Sequence, residues 1–490
     1  MGQRLNILLK GIDHEEVIGD PGIEVMDLEN DSRRIAPGGM FIAIRGTAND
    51  GHEFIDSAVS DGAVAVVCET LPDNISDKVS YIRVRDSSLF LGMVASAFWD
   101  HPSCKLKLTG ITGTNGKTTT ATLLYRLFMG SGRKSGLIST ISYFVNNKKL
   151  PATHTTPDPL TINRLLYEMV QDGCEYCFIE VSSHAIVQQR IGGLTFAGGV
   201  FTNISHDHLD YHKSFDEYLR VKKQFFDELG NDAFALVNKD DRNAGFMVQN
   251  TSAGVSTYAL KSMADFRGNI IERHPNGMLL NINGRELWTN LIGSFNASNL
   301  LGVFAACKLL GAEDNETLRI LSTLTPVEGR FETIRSPEGV TAIIDYAHTP
   351  DALENVIEAI NQMAGRGSRL ITVAGAGGDR DREKRPIMAK IASEKSNKLI
   401  LTSDNPRSEN PESIINDMLG GVDKAFRDRV LCIISRKEAI RTGCMIAGPG
   451  DYVLVAGKGH ETYQEINGVK HHFDDREIVR EVFNVMQNTR

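Results

Sequence analysis

Ten consecutive residues carry the densest chemical signal in the chain: Gly110-Ile111-Thr112-Gly113-Thr114-Asn115-Gly116-Lys117-Thr118-Thr119. An apolar run from Leu106 to Thr112 leads into this segment, and a helical pattern from Lys117 to Met129 leads out of it. A strand, a tight turn and a helix start are predicted here. Glycine lets main-chain N–H groups crowd around an anion as a nest. The start of a helix adds positive partial charge. In such a loop Gly113, Thr114, Asn115, Gly116 and Thr119 surround phosphates, Lys117 reaches the terminal ones, and the Thr118 hydroxyl is placed for Mg²⁺. The common phosphate-loop spacing needs glycine at position 111, where Ile111 stands, so this loop is a variant.

A second group of donors follows. Glu180-Val181-Ser182-Ser183-His184 comes directly after the apolar run Tyr176 to Ile179. A carboxylate at the C-terminal end of a parallel strand faces the crevice where α/β sheets bind ligands. Its hard oxygens suit Mg²⁺, so Glu180 is a candidate metal ligand. Further on, His206, His208 and His212 fall within seven residues. Zinc is one reading, but the neighbouring donors are oxygens, which favours a magnesium site. Cys174 and Cys177 form a C-x-x-C with no second Cys or His pair nearby, so inert, buried thiols are expected.

The variant loop Gly113 to Thr119 resembles that of the Mur ligase superfamily, which also contains the folylpolyglutamate synthetases. Other stretches extend the resemblance along the whole chain. Glu180 to His184 is similar to the family's E-x-S-S-H, whose Glu binds metal. Asn203 to Asp210 is similar to N-x-x-x-D-H-L-D, which makes His208 a magnesium ligand. Tyr218 to Phe226 has the pattern of a surface helix, where a lysine would ordinarily be solvated. The resemblance implies instead that Lys222, four residues after Tyr218, carries a CO₂-derived carbamate that helps hold a second Mg²⁺. Gly293 to Asn299 resembles G-x-F-N-x-x-N, which brings Asn296 and Asn299 toward the adenine side of ATP. Asn296 also reads as a helix cap. Gly329-Arg330-Phe331-Glu332 makes Arg330 a phosphate or transition-state contact, and Asp345-Tyr346-Ala347-His348-Thr349-Pro350 puts Asp345 and Tyr346 near the nucleotide.

Four stretches resemble the branch of the family that acts on UDP-MurNAc-L-Ala-D-Glu. Asp31-Ser32-Arg33 implies a uridine contact at Ser32. Thr155 and Thr156, in T-T-P-D, and then Ser182, Gln188 and Arg190 imply contacts to the UDP-MurNAc-dipeptide. Asp404-Asn405-Pro406-Arg407 resembles the D-N-P-R of members that add meso-diaminopimelate, whereas lysine-adding members usually lack the Arg. Diaminopimelate has a carboxylate at its far end and lysine has none. An Arg fork binds a carboxylate through two bonds, and a site built for that group rejects an analogue without it. Arg380 is a second candidate for the carboxylate, Glu461 is the candidate for the ammonium end, and Gly457 in the same stretch is a further diaminopimelate contact. The implied reaction is ATP-dependent and ADP-forming: the D-Glu γ-carboxylate becomes an acyl phosphate, and the diaminopimelate amine displaces the phosphate. Lys117, Lys222 and Arg330 are the implied catalytic residues, and Thr118, Glu180, His208 and carbamylated Lys222 the implied metal ligands. A lysine-adding ligase, a folylpolyglutamate synthetase-like ligase and a catalytically inactive nucleotide-binding protein are the rival readings.

The elements that must position these residues divide into three α/β blocks. Short β-like runs such as Met40 to Ile44 and Ala63 to Val67 fill residues 1–102, the small domain expected to bind UDP-MurNAc. Residues 103–332 read as a central P-loop ATPase with a mostly parallel sheet. Residues 333–490, with strands at Thr341 to Asp345, Leu370 to Ala374, Lys398 to Thr402 and Tyr452 to Ala456, read as a Rossmann-like, doubly wound domain for the amino acid. His101-Pro102-Ser103 is the expected first linker. The net charge of −9 argues against a protein that coats nucleic acid. No apolar run reaches the ~20 residues that span a bilayer, the N-terminal stretch is unlike a secretory signal, and seven cysteines in 490 residues imply no disulfide framework. A cytoplasmic monomer working on small molecules is expected, with no membrane insertion.

Overall fold

Apolar runs of four to six residues become strands buried on both faces, gathered into one large sheet and two smaller ones. The computed structural model describes residues 2–46, 49–207 and 209–488. Among them, a five-stranded sheet covers residues 16–83 and is followed by helix α1, Ser87–Phe98, whose first turn is capped by the Asp86 carboxylate. This unit sits tightly on the next one. Leu160 belongs to its core, and a Cβ on Gly92 would come within 2.3 Å of the Gly192 carbonyl oxygen.

The middle of the eleven-stranded sheet is parallel. Strand β1, Lys107–Thr112, lies between β2, Tyr176–Glu180, and β3, Gly198–Phe201, and helix α2, Lys117–Gly130, follows β1. The register pairs Ile111 with Glu180 and Thr112 with Phe201, so the phosphate loop and the Glu180 carboxylate leave the sheet at one edge. Both outer edges are antiparallel. One of them is a meander over Phe266–His274, Gly277–Ile282 and Arg285–Thr289 that the sequence reading passes over. Its alternating burial marks a sheet with one solvated face, and its turn at Asn283-Gly284 has φ of 48° and 84°, the pair a type I′ hairpin needs.

The last sheet has six strands. Parallel strands β4 (Thr341–Asp345), β5 (Leu370–Ala374), β6 (Lys398–Leu401) and β7 (Tyr452–Ala456) run in the order β4-β7-β5-β6. Alternate residues feed two cores: Ile343 and Leu454 join one, and Ile344 and Val455 join the other. Helices therefore cover both faces, as a doubly wound fold requires. The chain enters this unit through Gly329-Arg330-Phe331, where Gly329 and Phe331 have φ of 64° and 50°. The expected linker at residues 101–103 is a short helical turn, Pro102–Lys105, entered through left-handed His101. Cys174 and Cys177 are buried free thiols, with burial raising both pKa values.

Candidate active site

Gly113 and Gly116 both take positive φ, 147° and 88°. A Cβ on Gly113 would lie 2.0 Å from Thr202 Oγ1, so only glycine fits where the loop passes β3. Helix α2 starts at Lys117 and turns its free N–H groups toward the loop. Lys117 Nζ curls back to donate to the carbonyls of Gly113 (2.9 Å) and Thr114 (2.8 Å). Burial lowers its pKa, opposed by the nearby charges of Glu180 and Asp207. Thr118 Oγ1 donates to Glu180 Oε2 at 3.0 Å and accepts from Arg330 at 3.0 Å. Thr140 donates to the same carboxylate through its N–H (2.7 Å) and its hydroxyl (3.2 Å). These groups open on a cavity of about 430 Å³, lined also by Thr114, Asn115, Gly116, Thr119 and Asn299.

The oxygen donors here fit Mg²⁺. Glu180 is fully buried, and its hydrogen bonds come from the neutral groups of Thr118 and Thr140, so its negative charge is directed into the cavity for a cation to cancel. His208, the other expected ligand, lies outside the described residues. Lys222 does not follow its surface pattern. It is 1% exposed on helix α3, Phe215–Asp227, and its Nζ donates to the Gly113 carbonyl at 3.0 Å. Burial, reinforced by the charge of Lys117, pushes its pKa well below that of an ordinary lysine. The helix turns this face inward, onto the back of the phosphate loop. His206 is partly exposed and lies 3.1 Å from Asp381 across the domain junction. His212 is buried, 2.8 Å from Ser183 Oγ, behind the residues that face the cavity.

The wall opposite comes from the last unit. The Arg330 guanidinium stacks 4.4 Å from the Tyr346 ring centre, and Tyr346 packs against His460 at 5.1 Å. Asp345 is tied down by the N–H groups of Phe331 and Ala347, both at 2.7 Å, so it shapes the hinge as well as lining the cavity. His348 also faces the cavity, and burial, with Lys384 nearby, lowers its pKa to about 4. Asn115 Nδ2 reaches Asp351 at 2.9 Å, a direct link from the phosphate loop to the last unit. Asn299 lines the cavity. Asn296 is turned inward, donating to the Ile292 carbonyl at 2.8 Å and accepting from Asn299, so it supports Asn299 from behind.

Further along the central unit, Thr156 Oγ1 donates to the Glu180 carbonyl (2.7 Å) and to Ser182 Oγ (3.3 Å), and Thr140 Oγ1 donates to Thr155 Oγ1 at 3.0 Å. Arg190 grips Gln188 Oε1 through Nε and a terminal nitrogen, at 3.0 and 2.7 Å, and donates to the Thr156 carbonyl. The five residues Thr155, Thr156, Ser182, Gln188 and Arg190 thus form one connected patch beside Glu180. Ser32 is buried in the N-terminal unit, at the start of a turn capped by Asp31.

A second polar cluster lies at the ends of β6 and β7. Asp404 and Asn405 are buried. Lys458, fully buried, donates to Asn405 Oδ1 and to Glu461 Oε2, both at 3.0 Å, and lies 3.8 Å from Asp404. Arg436, also fully buried, pairs with Asp475 at 2.7 Å and comes within 3.9 Å of Asp404. Burial opposes ionisation of Asp404, yet Lys458 and Arg436 outweigh it and hold its pKa below the ordinary value. Glu461 goes the other way: burial and the neighbouring Asp404 raise it. Arg407 has φ of 51° and donates from NH1 to the Gly378 carbonyl at 2.7 Å. Gly457 has φ of 115°, and a Cβ there would meet Asp404 Oδ2 at 2.3 Å. Pro406 is buried, and Arg380 is exposed, bonded to the Asp379 carbonyl.

Three family models match consecutive parts of the chain: the Mur ligase family catalytic domain over residues 24–99, the Mur ligase middle domain over 111–307, and the Mur ligase glutamate ligase domain over 329–459. The chain belongs to the Mur ligase family. It is 54% identical over 480 residues to the UDP-N-acetylmuramoyl-L-alanyl-D-glutamate–2,6-diaminopimelate ligase of Phocaeicola vulgatus, covering 98% of this chain and 99% of that one. The enzyme of the same name from Bacteroides thetaiotaomicron is also 54% identical, over 98% of this chain and all of its own. A solved structure of a ligase with that name is 31% identical, with a TM-score of 0.66 over 94% of this chain and 95% of its own. A folylpolyglutamate synthase of Mycobacterium tuberculosis, solved with ADP, shares the fold at 16% identity, with a TM-score of 0.62 over 75% of this chain and 92% of its own.

In this Mur ligase the sequence reading misses the buried cations. Lys458 sits between Gly457 and Gly459 and two residues before His460, a cluster that signals a functional loop. Arg436 follows a helix-capping Ser435 and reads as an ordinary surface helix start. Only packing shows that it is enclosed.

Proposed function

We infer that this Mur ligase joins meso-2,6-diaminopimelate to the D-Glu γ-carboxylate of UDP-MurNAc-L-Ala-D-Glu in peptidoglycan precursor synthesis. It is an ATP-dependent, ADP-forming ligase of small molecules. The observation that carries the choice of amino acid is the cluster of charged side chains around Asp404–Arg407. It sets the Arg407 guanidinium near Asp404 and Glu461, whose charges Lys458 and Arg436 balance only from the buried side, so a carboxylate and an ammonium on one carbon would find partners of both signs. The relatives named for diaminopimelate support the same choice.

The N-terminal unit and the Thr155–Arg190 patch would hold the UDP-MurNAc-dipeptide, with Ser32 at the uridine end. The N–H groups of residues 113–119 and the Lys117 ammonium would bind the phosphates. Thr118, Glu180 and His208 would hold Mg²⁺, which when bound neutralises phosphate charge. The Arg330 guanidinium, anchored on Thr118 and Tyr346, would stabilise charge as the γ-carboxylate attacks the γ-phosphorus. ADP leaves, and the diaminopimelate amine then attacks the acyl phosphate and releases phosphate. Asn115–Asp351 and Arg330–Thr118 link the units across the cavity, and tighter closure on bound substrates would keep water from the acyl phosphate. Burial of Lys222 beside Lys117 disfavours its charged form, which would favour carbamylation of its amine. We take the enzyme to be a cytoplasmic monomer.

The deciding assay supplies ATP, UDP-MurNAc-L-Ala-D-Glu and either meso-diaminopimelate or L-lysine, and follows phosphate release. Release with diaminopimelate and little with lysine is expected. Equal rates would overturn the choice of amino acid, and no release with either would overturn the ligase reading. Labelled bicarbonate with carbon NMR tests the carbamate: a carbamate signal lost in Lys222→Ala is expected, and its absence from the wild-type enzyme counts against the modification.

A further inference from the structure

The hairpin formed by Tyr463–Ile466 and Val469–His472 is fastened along the Asp404–Arg407 loop. Gln464 Nε2 donates to the Asp404 carbonyl at 2.6 Å, and the Glu465 N–H donates to Asn405 Oδ1 at 2.9 Å. The Arg407 N–H donates to the Glu465 carbonyl at 3.1 Å, and the Asn467 N–H donates to the Arg407 carbonyl at 2.8 Å. These two main-chain bonds hold Arg407 in the left-handed conformation, uncommon for a residue with a Cβ.

The hairpin also reaches the Arg407 side chain. The Glu465 carboxylate lies 3.4 Å from Arg407 Nε, and the two side chains are only 25% and 21% exposed. A guanidinium has five N–H donors in a fixed fork. Nε faces Glu465 and one NH1 hydrogen goes to the Gly378 carbonyl. The edge between NH1 and NH2 keeps donors for an arriving carboxylate, which would bind there through two bonds. An unheld arginine would lose rotamer freedom when it grips the substrate, whereas one already fixed on its far edge loses less. Glu465 and the substrate carboxylate would sit on different edges of the same cation, whose positive charge offsets their repulsion.

The structure assigns Glu465 as a positioning residue that aims Arg407 and so sharpens the choice of an amino acid with a far carboxylate. This rests on Arg407 being the carboxylate contact. In Glu465→Ala the diaminopimelate KM should rise about five- to tenfold with kcat and ATP KM within about twofold, and the diaminopimelate-to-lysine ratio of kcat/KM should fall by a similar factor. Glu465→Gln keeps an acceptor for Nε and should restore most of the loss. In an Arg407→Ala background the Glu465→Ala change should add less than about twofold, because the group it aims is gone. A lower KM in both Glu465 variants would make Glu465 a competitor for Arg407 and overturn the assignment. An undiminished effect in the Arg407→Ala background would also overturn it. If Arg407→Ala alone leaves the diaminopimelate KM unchanged, the carboxylate contact itself has failed, which is a separate result.

Discussion

Around residues 113–119 the groups facing the cavity are main-chain amides, hydroxyls and one lysine from a single continuous segment, with Glu180 and Arg330 added from outside. Around Asp404 they are charged side chains from separate loops: Arg407 after β6, Lys458 and Glu461 after β7, and Arg436 from a helix between them. The first region suits a ligand with many negative charges and little variety, because backbone dipoles need no counter-ion. The second suits a zwitterion, and it must bury charges of both signs. Each buried charge there requires a partner, since an unpaired one costs several kcal/mol. An ion network of this kind is selective and fragile, because removing one partner leaves another buried charge unpaired.

The largest break in this comparison comes from Lys117→Ala, which should cut phosphate release by about a thousandfold or more while the protein still folds. Single-turnover assays would check this, and a loss under tenfold would remove Lys117 from the chemistry. Arg407→Ala should raise the diaminopimelate KM about a hundredfold and leave the ATP KM within about twofold. A parallel rise in ATP KM would mean that the two regions are not separable. Gly457→Ala sharpens the contrast, because the new methyl would press on Asp404. About a tenfold rise in diaminopimelate KM is expected, with nucleotide binding by calorimetry unchanged.

The smallest expected effect is on pH. Folding raises the Glu461 pKa, so the folded enzyme holds that proton more tightly. As pH falls through the window between the ordinary carboxylate value and the raised one, Glu461 neutralises and the free protein gains stability. Affinity for the diaminopimelate ammonium falls over the same window. The diaminopimelate KM should rise severalfold on acidification and the ATP KM less, and Glu461→Gln should flatten the difference.

Much of the nucleotide region was legible from the residues in order. Glycine spacing, the apolar run before it and the helix start after it are local features, and β1, α2 and the ends of β2 follow them. The parallel core strands were legible too, because strands buried on both faces are apolar without alternation. The meander over residues 266–289 went unread, although Asn283-Gly284 marks its turn, because its strands are polar on their outer face. Asn467-Gly468 marks the second hairpin in the same way.

By itself the sequence determined the phosphate loop, the order of its strands and helices, and the Asp404-Asn405-Pro406-Arg407 stretch on which the proposed choice of amino acid rests. Each depends on neighbours in the chain: glycine's freedom at Gly113 and Gly116, a helix beginning at Lys117, a turn at Asn405-Pro406. Only the tertiary structure decided that Lys222 is buried behind the loop, that Lys458 and Arg436 balance Asp404 and Glu461, and that Glu465 stands beside Arg407. Backbone conformation is set within a few residues, but desolvation and ion pairing depend on which distant segments packing brings together.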